Sequence, residues 1–494
     1  MITSSIKPST YIAIWAMLIP FFILTGFYPI VTLALIVAAL GFGLTCYFFI
    51  ESNHRMIYFL FVVSIVQNLV VIYLMGKFNI SQAYELQYYK ELFLLGMLGY
   101  LLVFKNKLLK NMTSIDLVSI LFIFYVLLVS IWLGDANTFT KVASLRQVLI
   151  PFLFYFLGKH IILTGTNLEI LWKRIVKFGV VIVLFGLFES FVIPTFWMDV
   201  EIYNFFFEKR GPEFLTMVNG LPSNFYTSDF VSIVGEPVRR MASFVANPPV
   251  LAHILGYLAV FTLFTRKHLK RSSLVLFILS AGVFLTLGKG GIITLAVGVI
   301  FYILFMMKKP FLTYLVCCFG FFGAVLYIKK VIDEGLSAVD HIFGFTNSLM
   351  LGLQHPLGSG LGTVGNLSEV YNSNVTVSEG GGAESFLGLV VGQFGIIGFT
   401  LFSLFFILTF FRLIKLMKSN SNNEFYYSIL ASLAAVIFAI FLTAFLTESA
   451  ISFTSAGIPV LLSSILINNG KKLSEFQSNF KREKKKRKRI RITW

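Results

Sequence analysis

Apolar positions in this chain come in long unbroken runs, not at the two-residue or 3.6-residue spacing of half-buried elements. There are about fourteen, near residues 9–26, 28–50, 56–76, 91–104, 114–134, 145–164, 175–194, 246–265, 272–288, 291–307, 311–328, 384–411, 425–446 and 449–468. Most approach the roughly 20 residues a helix needs to cross about 30 Å of hydrocarbon. A bilayer core admits only helices and closed barrels, because backbone groups must satisfy one another there. Barrel strands alternate apolar and polar, whereas these runs are apolar all round. The pattern predicts an all-α, polytopic integral membrane protein with about 12–14 transmembrane helices and two long outer loops. The run at Glu91 is short, only Gly26 and Phe27 separate the first two, and Lys289 divides a longer apolar stretch. Lys7 precedes the first run and no small-residue cleavage site follows it, so it reads as a retained helix.

Composition agrees: 57% hydrophobic residues, 13% charged residues and a mean hydropathy of +0.85 exclude water as the main solvent. His54 with Arg55, then Lys105, Lys107 and Lys110, then Lys173, Arg174 and Lys177, then Arg266, Lys267, Lys270 and Arg271, then Lys308 and Lys309, then Arg412, Lys415 and Lys418 fall between alternate runs. Excess Lys and Arg marks cytoplasmic loops, and an even number of spans places both termini on that side. Residues 471–494 carry eleven Lys or Arg against Glu475 and Glu483, a net of +9. Beside a span this reads as a topogenic cytoplasmic tail facing anionic lipid, with nucleic-acid binding the weaker alternative. The chain divides into N-terminal helices (1–144), a core (145–415) with outer loops at about 195–245 and 329–383, C-terminal helices (416–470) and the basic tail.

Several chemistries have no support. Cys46, Cys317 and Cys318 fall inside predicted spans, and the six histidines are scattered without ligand spacing to a carboxylate, so no metal site is expected. No CxxC pair, Walker-type loop or GxGxxG fingerprint after a strand occurs, so no nucleotide cofactor is expected either.

The polar residues worth attention collect on the outer side. Arg239 and Arg240 end the first long loop, Arg146 begins a span, and Lys289 stands between two. Basic side chains near helix ends either snorkel to headgroup phosphates or form an anion site. Four on one face favour the anion site, for which a guanidinium fork is suited. The aromatic residues of the first loop, among them Trp197 and Tyr203, argue that it packs on the bundle or the interface. The second loop carries His355, then glycines 358, 360 and 362, then 380–382, and Glu384 at the mouth of a span. Such glycines either bring backbone amides close to a ligand or make a flexible connector. Glu384 has two readings, a general base or a structural partner for an arginine.

Three stretches, RRMASFVANPPVLAHIL (239–255), QHPLGSGLGTVG (354–365) and ESFLGLVVGQFGIIGFTLF (384–402), resemble motifs of the O-antigen ligase and polymerase family of membrane glycosyltransferases. LRQVLIPFLFYFLG (145–158) and LGKGGIITLAVG (287–298) are weaker echoes, and together they cover roughly residues 145–415. Two departures stand out: Glu384 occupies a position that is histidine in the ligase branch, and Lys289 one that is often arginine.

The resemblance implies a Wzy-type polymerase in a bacterial cytoplasmic (inner) membrane, joining repeat units at the outer face. Glycan would pass from an undecaprenyl diphosphate carrier to an acceptor sugar hydroxyl, without metal or other cofactor. Arg240, with Arg239, Arg146 and Lys289, would neutralise the diphosphate. Glu384 would take the acceptor proton. His355 would bind glycan, serve as an alternative base or simply pack its loop, while Trp197 and Tyr203 would stack on sugars. A flippase and a chain-length regulator follow as partners from pathway logic alone. The alternatives are a ligase of the same family and a flippase or transporter of lipid-linked saccharide. A purely structural assembly protein has less need of the basic cluster.

Overall fold

The computed structural model describes residues 53–105, 112–134, 136–210, 215–307, 338–365 and 385–469. The long helices are α1 (Asn53–Phe78), α2 (Tyr89–Lys105), α3 (Ser114–Trp132), α4 (Thr138–His160), α5 (Gly165–Leu187), α6 (Pro248–Phe264), α7 (Ser272–Leu285), α8 (Lys289–Tyr302), α9 (Ala338–Gln354), α10 (Phe386–Ser419), α11 (Glu424–Thr443) and α12 (Gly457–Asn469). Among the described residues seven helical segments, corresponding to α1, α3, α4, α5, α8, α10 and α11, are long and apolar enough to cross a membrane. The chain is therefore an all-α, multi-pass membrane protein. α6, α7 and α12 are apolar but shorter. The 17 residues of α6 extend about 26 Å, just under the hydrocarbon thickness. The predicted runs 9–26, 28–50 and 311–328 lie outside the described residues.

Polar residues set the helix starts. Thr113 and Asp116 form a capping box on α3, and Thr164, Ser385 and Asn423 accept from backbone amides of α5, α10 and α11. Asn247 caps α6, with Pro248 next to it in the first turn, where a missing amide costs nothing. α5 begins at Gly165, ten residues before the apolar run at 175. Lys173, Arg174 and Lys177 thus stand on the helix and not in a loop. The run is broken there by charge, yet Leu171, Trp172, Ile175 and Val176 are buried among the charges, an amphipathic turn that unbroken hydropathy overlooks.

Contacts define two ends of the bundle. At one, Lys267 Nζ donates to Glu424 Oε1 (2.6 Å), Trp172 Nε1 to Thr265 Oγ1 (3.2 Å), Tyr427 Oη to Phe305 O (3.2 Å) and Asn469 Nδ2 to Ile161 O (2.6 Å). Arg55, Arg266 and Lys418 belong to element termini at this same basic end. At the other end Met241 N donates to Leu285 O (3.0 Å) and Leu387 N to Ala444 O (3.0 Å).

α10 is not one straight span. Its backbone breaks at Gly395 (φ 61°, ψ −167°), and a side chain there would meet the Pro356 carbonyl. The 355–365 turn fills the break: Ser359 N donates to Gly392 O (3.0 Å), Gly360 N to Gln393 O (3.1 Å), and Tyr125 Oη lies 3.0 Å from Leu357 O and Phe394 O. Gly358 (φ 91°) lies so close to Gln393 that any Cβ would collide with its carbonyl. The predicted second loop is therefore not loop throughout, since α9 occupies 338–354 and packs on α10.

The first long loop folds back on the bundle. It carries short helices at Phe196–Asp199 and Ile202–Arg210 and two small hairpins, β1 (Met217–Val218) with β2 (Leu221–Pro222), and β3 (Tyr226–Thr227) with β4 (Val238–Arg239). Trp197, Phe205, Phe206 and Phe225 bury against Val71, Ile72 and Met75 of α1, forming a second core. Its aromatics are thus packing residues first.

Candidate anion site at one end of the helix bundle

The site is organised by a carboxylate. α5 ends in a π-helical turn, Phe188–Val192, which carries Glu189 fully buried. One Glu189 oxygen accepts from Ala242 N (2.8 Å), Ser243 N (3.1 Å) and Ser190 Oγ (3.0 Å); the other accepts from Trp197 Nε1 (3.0 Å) and Arg239 Nη2 (3.0 Å). Arg239 Nη1 also donates to Pro194 O (2.6 Å). A buried carboxylate is tolerated only with such charge-assisted donors. Arg239 is thereby committed to Glu189. Trp197, expected to stack on a sugar, is 0% exposed and has no open face. Both residues hold the loop and offer little to a ligand.

Arg240 follows β4 and turns the other way. Its backbone amide donates to Phe225 O (2.8 Å), its Nε to Thr286 O (2.9 Å) and its Nη2 to Leu287 O (3.4 Å). These carbonyls close α7, so the guanidinium caps a helix C-terminus, where positive charge is favoured. Nη1 has no hydrogen-bond partner among the described residues. Burial holds the Arg240 pKa down to about 10, opposed by the nearby Asp229 carboxylate, so the group is still charged at neutral pH.

Asp229 also pairs with Lys289, Oδ1 to Nζ 3.1 Å, with side chains 19% and 34% exposed. Lys289 is the first residue of α8, whose cap residue, Gly288, supplies no side-chain oxygen. Gly288 packs on Ala252, and an added Cβ would lie 3.7 Å from Arg240 Nη2, so the two cations are neighbours. Gly290, one residue on, lies against the His253 ring, whose Nδ1 is buried without a partner among the described residues. Among the described residues Arg239, Arg240 and Lys289 outnumber Glu189 and Asp229 by one charge, next to the positive end of the α8 dipole. Chemically this arrangement can hold an anion with more than one oxygen.

The other expected residues lie differently. Arg146 sits 3.8 Å from Glu91 and 5.1 Å above the Tyr88 ring, and no contact among the described residues joins it to Arg240. Tyr203 is 45% exposed with its ring centroid 5.7 Å from Phe207, so it has an open face but, among the described residues, no contact with the cations. His355 is exposed, and its amide donates to Leu351 O (2.8 Å) while its carbonyl accepts from Gly358 N (2.8 Å), closing the end of α9. The glycine amides at 358 and 360 are taken up by protein carbonyls, so neither a ligand cradle nor a free connector describes that turn. Glu384 lies outside the described residues; Ser385, next to it, caps α10 and donates to Ala444 O (3.3 Å).

Glu189 and Asp229 were missed in the sequence. Glu189 had a legible signal, an ionisable residue within an apolar run, which is expensive unless it has partners. Asp229 had none, being one acid in a polar loop. Among the described residues no group of three or more His, Cys, Asp or Glu could hold a metal ion. No protein-family model matches the chain, and no curated protein matches it.

Proposed function

We propose that this chain is a membrane glycosyltransferase of the O-antigen polymerase type, transferring glycan from a polyprenyl diphosphate to an acceptor sugar hydroxyl. The observation that carries the reading is Arg240 beside Lys289 at the start of a helix long and apolar enough to cross a membrane, with Arg240 Nη1 unengaged among the described residues. A lipid diphosphate leaving group needs cations at the depth of the headgroups, and their attraction grows as its charge develops. In this reading Arg240 and Lys289 touch the diphosphate, while Arg239 and Trp197 act through Glu189 by holding the 239–243 backbone. Glu384 is the proposed base, because it immediately precedes the cap of α10. His355 and Tyr203, both exposed, are proposed glycan contacts.

The test compares cell polysaccharide on a gel from cells lacking the gene, cells with it restored, and cells with Arg240→Ala at matched protein level. Collapse of the ladder to single repeat units in both the deletion and the variant supports a polymerase. Full-length polymer that stays unattached supports a ligase instead. A transporter of the same lipid-linked saccharide is favoured by one observation, the break in α10 at Gly395, since discontinuous helices are common in transporters. In that case purified protein in vesicles moves lipid-linked saccharide across the bilayer without extending it.

A further inference from the structure

The hairpin that carries Asp229 has two unlike halves. Its base is fixed: Tyr226 pairs with Arg239 and Thr227 with Val238, and Arg239 is bound to Glu189. Its tip, residues 228–237, is exposed and apolar at three places, with Phe230 39%, Ile233 77% and Val234 56% exposed. Glu236 is exposed at the same tip, on the turn that returns to β4. The Asp229–Lys289 ion pair joins this tip to the first residue of a helix long and apolar enough to cross the membrane. The tip is thereby held at the level where hydrocarbon gives way to headgroups. Bulky apolar side chains there are stable in lipid and costly in water, whereas Glu236 remains among the headgroups.

The ion pair has a second property. Asp229 holds Lys289 with one carboxylate oxygen, and its charge also bears on Arg240. A phosphate offers more oxygens and more charge, and it can engage Lys289 together with Arg240 Nη1, which has no hydrogen-bond partner among the described residues. Thr227 Oγ1 donates to Asp229 Oδ2 (2.9 Å), so the carboxylate keeps a partner on its own hairpin if it leaves Lys289.

We propose that the 228–237 tip is seated in the membrane interface, and that Asp229 occupies on Lys289 the place a lipid-linked phosphate takes, so that lipid binding releases the tip. The hairpin is then a latch over the cation site, opened by the ligand from the bilayer. This inference rests on the lipid diphosphate reading of the site, but its test does not depend on glycan transfer.

The experiment uses the full chain in phosphatidylcholine nanodiscs, with Cys46, Cys317 and Cys318 replaced by serine and a nitroxide on Ile233→Cys. The label is expected to collide more with oxygen than with a water-soluble nickel chelate, the reverse of a label at exposed Lys270. Undecaprenyl diphosphate should sharpen the spectrum, while inorganic pyrophosphate at equal concentration should not. Asp229→Asn should be mobile without ligand and bind undecaprenyl diphosphate about two- to five-fold tighter, the range for losing a part-exposed ion pair that competes with the ligand. Asp229→Ala, checked for an unchanged melting profile, should behave the same way. A water-like label at 233 overturns the seating, and unchanged mobility and affinity in both Asp229 variants overturn the latch. Equal release by pyrophosphate overturns the lipid source of the phosphate. Polymer lost in Arg240→Ala cells with no lipid release of the tip sinks the latch and leaves the enzyme standing; the opposite pair of results sinks the enzyme and leaves the latch.

Discussion

Glutamine should be no refuge at position 189. Each Glu189 oxygen faces only donors: two backbone amides and a serine hydroxyl on one side, the Trp197 indole and the Arg239 guanidinium on the other. A carboxamide has one acceptor and one donor, so either flip sets an NH2 against N–H groups. The amide also removes the buried charge that pairs with Arg239, whose side chain is 21% exposed. Breaking a buried pair from one side costs about 3–5 kcal/mol, and an unsatisfied buried donor adds about 1–3 kcal/mol. These overlap, so the expected loss for Glu189→Gln is about 4 kcal/mol, close to that for Glu189→Ala. The assay is equilibrium unfolding of the purified protein in mixed detergent micelles, with Trp197→Phe as a reference that removes one donor and should cost about 1–2 kcal/mol. Glu189→Gln unfolding within about 1 kcal/mol of the parent would mean that the carboxylate does not organise the loop.

Three further outcomes follow from the same structure. Gly395→Ala should destabilise by about 1–3 kcal/mol, since a side chain must enter a left-handed conformation and meet the Pro356 carbonyl; unfolding and protein level measure it. Lys159→Met should cost about 3–5 kcal/mol by leaving the buried Asp116 charge with only the neutral donors Thr113 N and Tyr155 Oη in place of Lys159 Nζ at 2.8 Å, and adding Asp116→Asn should recover part of that in a double-mutant cycle. Phosphate-ligand affinity attributable to Arg240 should be flat from about pH 6 to 9, apart from the ligand's own ionisation. Burial lowers the Arg240 pKa to about 10 from its higher ordinary value, so only between the two does the unfolded state bind more protons and stability rise with pH; below about 10 both states are charged. A fall in affinity through pH 7–8 that disappears in Arg240→Lys would contradict this.

The long apolar runs decide by themselves that this chain is helical and multi-pass, because hydrocarbon leaves a backbone few ways to satisfy its hydrogen bonds. Alternation of basic residues between runs was likewise legible, and the structure gathers Arg55, Arg266 and Lys418 at one end of the bundle. The cluster of cations was legible only in part. Sequence order placed Arg239 and Arg240 together but not their opposite fates, one ending β4 and bound to Glu189, the other just past the strand and capping α7. Lys289 joins Arg240 while Arg146 does not, a matter of which helix ends meet and not of the residues themselves. The glycines from 358 on read equally as a ligand cradle or a flexible connector, yet the fold turns the Gly358 amide onto His355 and the Ser359 and Gly360 amides onto Gly392 and Gln393. Membrane solvent acts on every residue of a run and so writes itself into composition; the partner of a single buried charge or amide is chosen by the packing of distant segments, which leaves no local trace.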